Sequence, residues 1–251
     1  MTNGFKGRVA LVTGAAGGIG EAVVRQLLAE GARVVAADLH PVGARHADFR
    51  PAALDVTDAA AVERLVDEVE RDFGAIDFGV SVAGILSTDN VFDTSDETWR
   101  RVFAVNADGV FHFGRAVGRR MKERRRGAIV TVSSNAGGVP RQNMAAYAAS
   151  KAAATMFTRC LGLELAPHGV RCNIVAPGST RTAMLESMWQ DEADAAALIA
   201  GQPERFKAGI PLGKLAAPDD VAAAVLFLLS AKANHITMAD LYVDGGATLR
   251  A

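Results

Sequence analysis

Two side chains four residues apart carry the first chemical signal in this sequence: Tyr147 and Lys151, in Tyr147-Ala148-Ala149-Ser150-Lys151. On a helix, positions i and i+4 share one face, so a phenol and an ammonium meet there. A neighbouring cation favours the phenolate, which would make Tyr147 a base below its ordinary pKa of about 10. The same spacing also arises as an incidental helix-face pair. Ser134 stands 13 residues earlier, where an expected strand over 128–133 ends, so its hydroxyl can enter the same crevice. Asn106, in Phe103-Ala104-Val105-Asn106, offers an amide that can organise a water beside Lys151.

A second signal lies near the N-terminus, in Thr13-Gly14-Ala15-Ala16-Gly17-Gly18-Ile19-Gly20. Glycines let backbone N–H groups approach a pyrophosphate, and a following helix adds its partial positive charge. The spacing is G-x-x-x-G-x-G rather than the usual dinucleotide fingerprint, and a glycine-rich turn can also be mere chain geometry. Asp38 adds weight: it lies 24 residues after Gly14, at the end of the second expected strand, where a carboxylate can accept the adenosine ribose hydroxyls. The same carboxylate repels a 2′-phosphate, and neither Ala15 nor Ala16 brings a positive charge. NAD is therefore favoured over NADP. Asp55 and Val56 can bracket the adenine, although Asp55 can equally serve only as a helix-entry residue.

The elements that position these groups alternate. Strands are expected at Arg8–Thr13, Arg33–Asp38, Ala52–Val56, Asp77–Ala83, Ala128–Ser133, Arg171–Val175 and Ala239–Val243. A helix runs from Ile19 to Glu30, closed by Gly31, and another begins after the capping Asp58 and reaches about Phe73. This alternation implies an α/β fold: one doubly wound, Rossmann-type domain over 1–251, with a seven-stranded parallel sheet and helices on both faces. Two stretches break the rhythm. The segment from Leu39 to Pro51 is too rich in proline and glycine for a full crossover helix. The segment 181–209 follows a strand end and carries Met184, Met188, Trp189 and Phe206, which makes it a candidate substrate lid or a structural helical insertion.

Composition narrows the function. The chain has 251 residues, 27 Lys and Arg against 28 Asp and Glu, and half its residues are hydrophobic. Disorder is excluded, and a net charge of −1 disfavours nucleic-acid binding. The first residues hold no apolar stretch long enough for a signal peptide, and the most apolar later run, Val221–Leu229, is about half a membrane span. A cytoplasmic location is expected, with no membrane association. The basic run Arg119, Arg120, Lys122, Arg124, Arg125 and Arg126 reads as a helix C-terminus. The five histidines have no ligand spacing with Cys160 or Cys172, so no metal site is expected. Both cysteines read as buried small apolar residues.

Taken jointly, these motifs resemble the short-chain dehydrogenases/reductases over nearly the whole chain. The likeness rests on TGAAGGIG, strand-end Asp38, Ala83-Gly84, Asn106, Ser134, Tyr147, Lys151, Pro177-Gly178 and Val243-Asp244-Gly245-Gly246. It implies a tetrad of Asn106, Ser134, Tyr147 and Lys151. Ser134 would hold the substrate oxygen and Tyr147 would exchange the proton. Lys151 would lower the phenol's pKa and hold the nicotinamide ribose, and Asn106 would hold a relay water. The likeness also implies cofactor contacts at Gly14, Gly18, Ile19, Gly20, Asp38, Asp55, Val56, Ala83 and Gly84, with the carboxamide near Pro177, Gly178 and Thr182. A homotetramer is implied as well, packed in part through 155–165. One departure is Ser81-Val82-Ala83-Gly84, where the family usually has Asn-Asn-Ala-Gly.

A narrower likeness concerns the substrate. GAIVTVSSNA, PRQNMAAYAASKAA, FKAGIPLGKLA and HITMADLYVDGGATL are similar to the 2,3-dihydro-2,3-dihydroxybenzoate dehydrogenases of catecholate-siderophore pathways. Very similar enzymes oxidise trans-2,3-dihydro-3-hydroxyanthranilate. Arg141, six residues before Tyr147, can grip a carboxylate bidentately, or it can be a solvated surface arginine. Met144, Met188 and Trp189 can wall a slot for a flat ring, or pack the lid. Gln142 and Asn143 lie near enough to matter. The rival readings are a 3-oxoacyl-type carbonyl reductase, whose usual NADP Asp38 opposes, and a nucleotide-binding regulator that does not catalyse.

Overall fold

The strand β1, Val9–Thr13, is buried at every position, as an unbroken apolar run must be in a sheet covered on both faces. The computed structural model describes residues 4–43, 47–187, 189 and 192–249. Six further strands join β1: β2 Arg33–Asp38, β3 Phe49–Ala53, β4 Ile76–Ser81, β5 Gly127–Val132, β6 Val170–Pro177 and β7 Asp240–Val243. All pair in parallel, in the spatial order β3-β2-β1-β4-β5-β6-β7. The order reverses between β1 and β4, so the chain leaves those neighbours toward opposite faces and opens a crevice at their carboxyl ends.

The helices are α1 Gly18–Ala29, α2 Ala59–Asp72, α3 Asp96–Phe103, α4 Gly109–Arg124, α5 Ala145–Leu165, α6 Ala183–Glu186, α7 Glu192–Ala200 and α8 Pro218–Leu229. On one face of the sheet α1 and α8 bury Val23, Leu27, Val225 and Leu228. On the other, α2, α4 and the end of α5 bury Val66, Phe113, Val117 and Leu165. Asp58 caps α2, its carboxylate accepting from the N–H groups of Ala60 and Ala61. No helix among the described residues is long and apolar enough to cross a membrane.

The third strand lies three residues earlier than its expected span of Ala52–Val56 and includes Pro51. It is the edge strand, where a residue without an N–H is tolerated. Leu54 N–H still donates to Asp38 O at 2.9 Å, but Asp55 then turns the chain by accepting from Thr57 N–H at 2.8 Å. The described residues between β2 and β3 contain no helix, as expected from their prolines and glycine. The segment 181–209 holds α6, α7 and a two-strand ribbon of Gly201–Gln202 and Lys207–Ala208. Cys172 is buried, but Cys160 is exposed on α5, which corrects the expectation that both are buried.

The basic run at the end of α4 does more than complement the helix dipole. Arg119, Arg120 and Arg124 pair with Glu63, Asp67 and Glu70 along α2. Arg124 also donates to Ile76 O at 2.8 Å, while Glu70 accepts from Ile76 N–H at 2.9 Å. This closed network pins the start of β4 to both helices. Arg124→Ala is therefore expected to lower stability by about 2 kcal/mol, because it removes the charge partner of a mostly buried carboxylate and a donor to the Ile76 carbonyl. Arg119→Ala, at a mainly exposed pair, should cost less than about 1 kcal/mol. Denaturant unfolding of the two variants checks the ranking, and equal losses would contradict it.

Candidate active site

The crevice between β1 and β4 is a cavity of ≈ 340 Å³. Its floor is the glycine turn, and at Gly14 and Gly20 there is no room for a side chain. A Cβ on Gly14, whose φ is +67°, would lie 2.5 Å from Ala83 N, and one on Gly20 would lie 1.9 Å from Gly14 O. Gly14, Gly18, Ile19, Ala83 and Gly84 line the cavity. Gly20 does not: it is the close-packing point that lets α1 start against the turn. Thr182 reaches in from beyond β6, close enough that a Cβ on Gly18 would meet its methyl at 2.8 Å. Thr182 also caps α6 by accepting from Leu185 N–H at 3.3 Å.

Asp38 lies on the same wall with Asp55 and Val56. Its carboxylate accepts from Ala16 N–H and His40 N–H, each at 3.1 Å, so the turn after β1 orients it. Asp55 lines the cavity, and its Oδ1 also accepts from Thr57 Oγ1 at 2.7 Å. Val82 stands where the family usually carries an amide. Its N–H donates to Thr13 O at 3.2 Å, and its side chain packs against the core.

Tyr147 and Lys151 enter from the first turns of α5, and Tyr147 lines both this cavity and a second one of ≈ 170 Å³. Ser134 lines the second cavity and hydrogen-bonds the Tyr147 phenol. Lys151 is only 5% exposed, and its Nζ donates to Val132 O at 3.1 Å. Gly84 makes space for it, since a Cβ there would stand 3.1 Å from Nζ. Burial pushes the Lys151 pKa down to about 8.

The phenol behaves differently from the sequence expectation. Burial raises the Tyr147 pKa, and the Ser134 hydrogen bond only opposes that rise. Nζ of Lys151 lies 5.8 Å from the centre of the phenol ring, and desolvation outweighs its attraction for the phenolate. A further positive charge in the cofactor cavity would be needed to bring the phenol into a useful range.

Asn106 is fully buried in a π-helical turn, Ala104–Asp108, between α3 and α4. Such turns re-aim side chains inside helices. Its Oδ1 accepts from Ile85 N–H at 2.8 Å, and its Nδ2 donates to Ile85 O and to Ser150 Oγ at 2.9 and 3.0 Å. Ser150 in turn donates to Tyr147 O at 2.7 Å. Both amide protons are thus committed to tying the loop after β4 to α5, and only an oxygen lone pair remains for the expected water.

The second cavity is also lined by Arg141, Met144, Pro177, Gly178 and Thr182, so Pro177 and Gly178 border the Ser134 side rather than the glycine turn. Arg141 forms no ion pair with any described residue. Beyond it a more open cavity is lined by Trp189, Gln142 and Asn143. Trp189 therefore sits farther from Tyr147 than Met144 does. Its Nε1 is buried without a hydrogen-bond partner among the described residues, and the Arg181 guanidinium lies 5.4 Å from its ring. Met188 lies outside the described residues. Met184, expected only as part of the candidate lid, and Lys207, which no sequence signal marked, both line the catalytic cavity. No fixed spacing links them to Tyr147, and only the fold brings the segment 181–209 over it.

The buried ammonium has a measurable consequence. Because the folded pKa of about 8 lies below the ordinary 10.5, the unfolded chain holds a proton that the folded chain has released between those values. Wild-type stability should therefore rise with pH across that window. Lys151→Met is expected to be the more stable protein below pH 8, by up to about 3 kcal/mol, with the advantage fading as pH approaches 10.5. Denaturant unfolding at several pH values reads this, and a constant difference would contradict a depressed Lys151.

Comparison with known proteins agrees with this geometry. A family model described as enoyl-(acyl carrier protein) reductase matches residues 14–248. The chain is 53% identical to a 2,3-dihydro-2,3-dihydroxybenzoate dehydrogenase of Bacillus subtilis (strain 168), covering 98% of each. It is 43% identical to a dehydrogenase of the same description from Escherichia coli (strain K12), covering 98% of this chain and 99% of that one. Among solved structures, a short-chain type dehydrogenase/reductase from Mycobacterium marinum matches with a TM-score of 0.88 and 32% identity, over 99% of this chain and 98% of that chain. A turn crowded at Gly14 and Gly20, a strand-end carboxylate, and a serine, tyrosine and lysine around one crevice accompany this likeness: the chain belongs to the short-chain dehydrogenase/reductase family of nicotinamide-dependent oxidoreductases.

Proposed function

We propose that the protein oxidises the C3 hydroxyl of 2,3-dihydro-2,3-dihydroxybenzoate with NAD, yielding 2,3-dihydroxybenzoate. The observation that carries the reading is the position of Tyr147 at the junction of two cavities. One is lined by the glycine turn and the Asp38 carboxylate, and the other is lined by the Arg141 guanidinium, which pairs with no carboxylate among the described residues. The named activity of the relatives supports the substrate. The catecholate acid product places the enzyme in siderophore or related biosynthesis.

The residues present fit the cofactor. The glycine turn offers its backbone to a pyrophosphate at the start of α1, and the Asp38 carboxylate suits a ribose diol and opposes a 2′-phosphate. Ala83, Gly84, Val56 and Asp55 supply the remaining wall. A bound oxidised nicotinamide supplies a two-electron acceptor for the hydrogen on C3 and a positive charge beside the phenol.

Around it, Ser134 holds the carbinol oxygen and Tyr147 takes its proton. Lys151 adds its charge from behind the ring, and Asn106 holds α5 in place through Ser150. Arg141 grips the carboxylate, while Met144 and Met184 exclude water from the ring. Loss of two hydrogens leaves a ketone that tautomerises to the phenol, and aromatisation draws the reaction toward oxidation.

The whole chain serves as one catalytic domain, with 181–209 as its substrate lid. A homotetramer is supported by Phe111, Met156 and Leu163, large apolar side chains exposed on α4 and α5. Two free cysteines fit a reducing, cytoplasmic setting.

Tyr147→Phe should lower kcat by at least about 1000-fold while NAD affinity, read by calorimetry, stays within about 2-fold. Full activity would refute the assigned base. Asp38→Ala should reduce the preference of kcat/KM for NAD over NADP by about 10-fold or more, and an unchanged preference would refute the ribose contact.

A further inference from the structure

Lys207 belongs to the ribbon of Gly201–Gln202 and Lys207–Ala208, far in sequence from the catalytic residues. It nevertheless lines the Tyr147 cavity and the outer cavity, as Arg141 does. The two cations come from different elements, the loop after β5 and the ribbon, and neither forms an ion pair with any described residue. We propose that Lys207 and Arg141 together form a two-cation cradle for the substrate's carboxylate, which makes Lys207 a specificity-determining residue. The proposal rests on the reading that the substrate is a cyclohexadiene carboxylate.

Like charges brought together in a partly desolvated cavity repel, and that cost is relieved when an anion sits between them. The mutual effect is visible in Lys207: burial first, then the charges of Arg141 and Arg205, hold its pKa down to about 8. Of the acids nearby, Asp244 acts on Arg141 through its charge but forms no ion pair with it. Asp244 is committed to the C-terminal turn, accepting from Gly246 N–H, Thr248 N–H and the Thr248 hydroxyl, as well as from Asn135. Asp194 on α7 lines only the outer cavity. Met144, Met184 and Leu198 complete the walls, and their low polarity strengthens any charge pairing between them. Because Lys207 arrives on the 181–209 segment, a bound carboxylate also ties that segment to the loop of Arg141.

The test is calorimetry of the NADH-loaded enzyme with 2,3-dihydroxybenzoate and, separately, with uncharged catechol. Lys207→Gln should weaken the carboxylate by about 10-fold or more, leave catechol and NADH binding unchanged, and be rescued by Lys207→Arg. Wild-type affinity for the carboxylate should fall as pH rises through 8. The Lys207→Arg enzyme should lose that part of the dependence, leaving only the contribution of Lys151 and Tyr147. Equal loss of both ligands in Lys207→Gln would mean a purely structural lysine and would overturn the proposal, as would unchanged carboxylate affinity. If the enzyme fails to oxidise the dihydro acid while carboxylate binding still depends on Lys207, the cradle stands and the substrate assignment falls.

Discussion

A buried ammonium is the constraint around which this protein is arranged. Lys151 sits almost fully enclosed beneath a phenol, with a backbone carbonyl as its hydrogen-bond acceptor and no carboxylate among the described residues paired with it. Such a charge survives only where the surroundings are fixed, because every relaxation that hydrates it would also open the site. The fixing parts are visible: Gly84 leaves the space, β5 offers Val132 O, and Asn106 with Ser150 locks the start of α5 to the loop after β4. The reversal of strand order between β1 and β4 brings these pieces to one crevice. Stability given up at Lys151 is thus tied directly to the chemistry of Tyr147.

The second feature is an asymmetry of charge along the crevice. At the nucleotide end Asp38 is negative and is oriented by backbone N–H groups. At the far end Arg141 and Lys207 are positive and form no ion pair with any described residue. A substrate with an anionic carboxylate on one side and a carbinol on the other can bridge the cations and Ser134, with its reacting carbon facing the cofactor cavity. Met144 and Met184 line the cavity between these ends. The phenol itself is held up in pKa by burial, a rise that positive charge on a bound cofactor would oppose. Binding and chemistry are coupled through that one group.

Much of this was legible in the sequence, for physical reasons that differ by residue. Tyr147 and Lys151 share a helix face, so their spacing alone brings them together, and Asp38 follows from a strand of known length after a glycine turn. The core faces follow from strands apolar on both sides. Other features depend on long-range packing that no local pattern reports. The third strand was misplaced because Pro51 reads as a breaker, yet an edge strand accepts it. The π-turn at Asn106 has no period of its own. The upward shift of Tyr147 reflects how deeply it is buried, which spacing does not encode. Lys207 and Met184 reach the site only because the segment 181–209 folds back over it. The basic run on α4 looked like dipole compensation until α2 supplied its acidic partners.

The account's central claim is that Tyr147 and the Arg141 end of the crevice act on a dihydro-aromatic acid with NAD. The most direct test is NADH formation by the purified protein with trans-2,3-dihydro-2,3-dihydroxybenzoate, run beside trans-2,3-dihydro-3-hydroxyanthranilate, with the aromatic product quantified. The account expects one NADH per molecule of 2,3-dihydroxybenzoate formed and slower turnover of the amino acid. No NADH from either acid, or a clear preference for the amino compound, would contradict it.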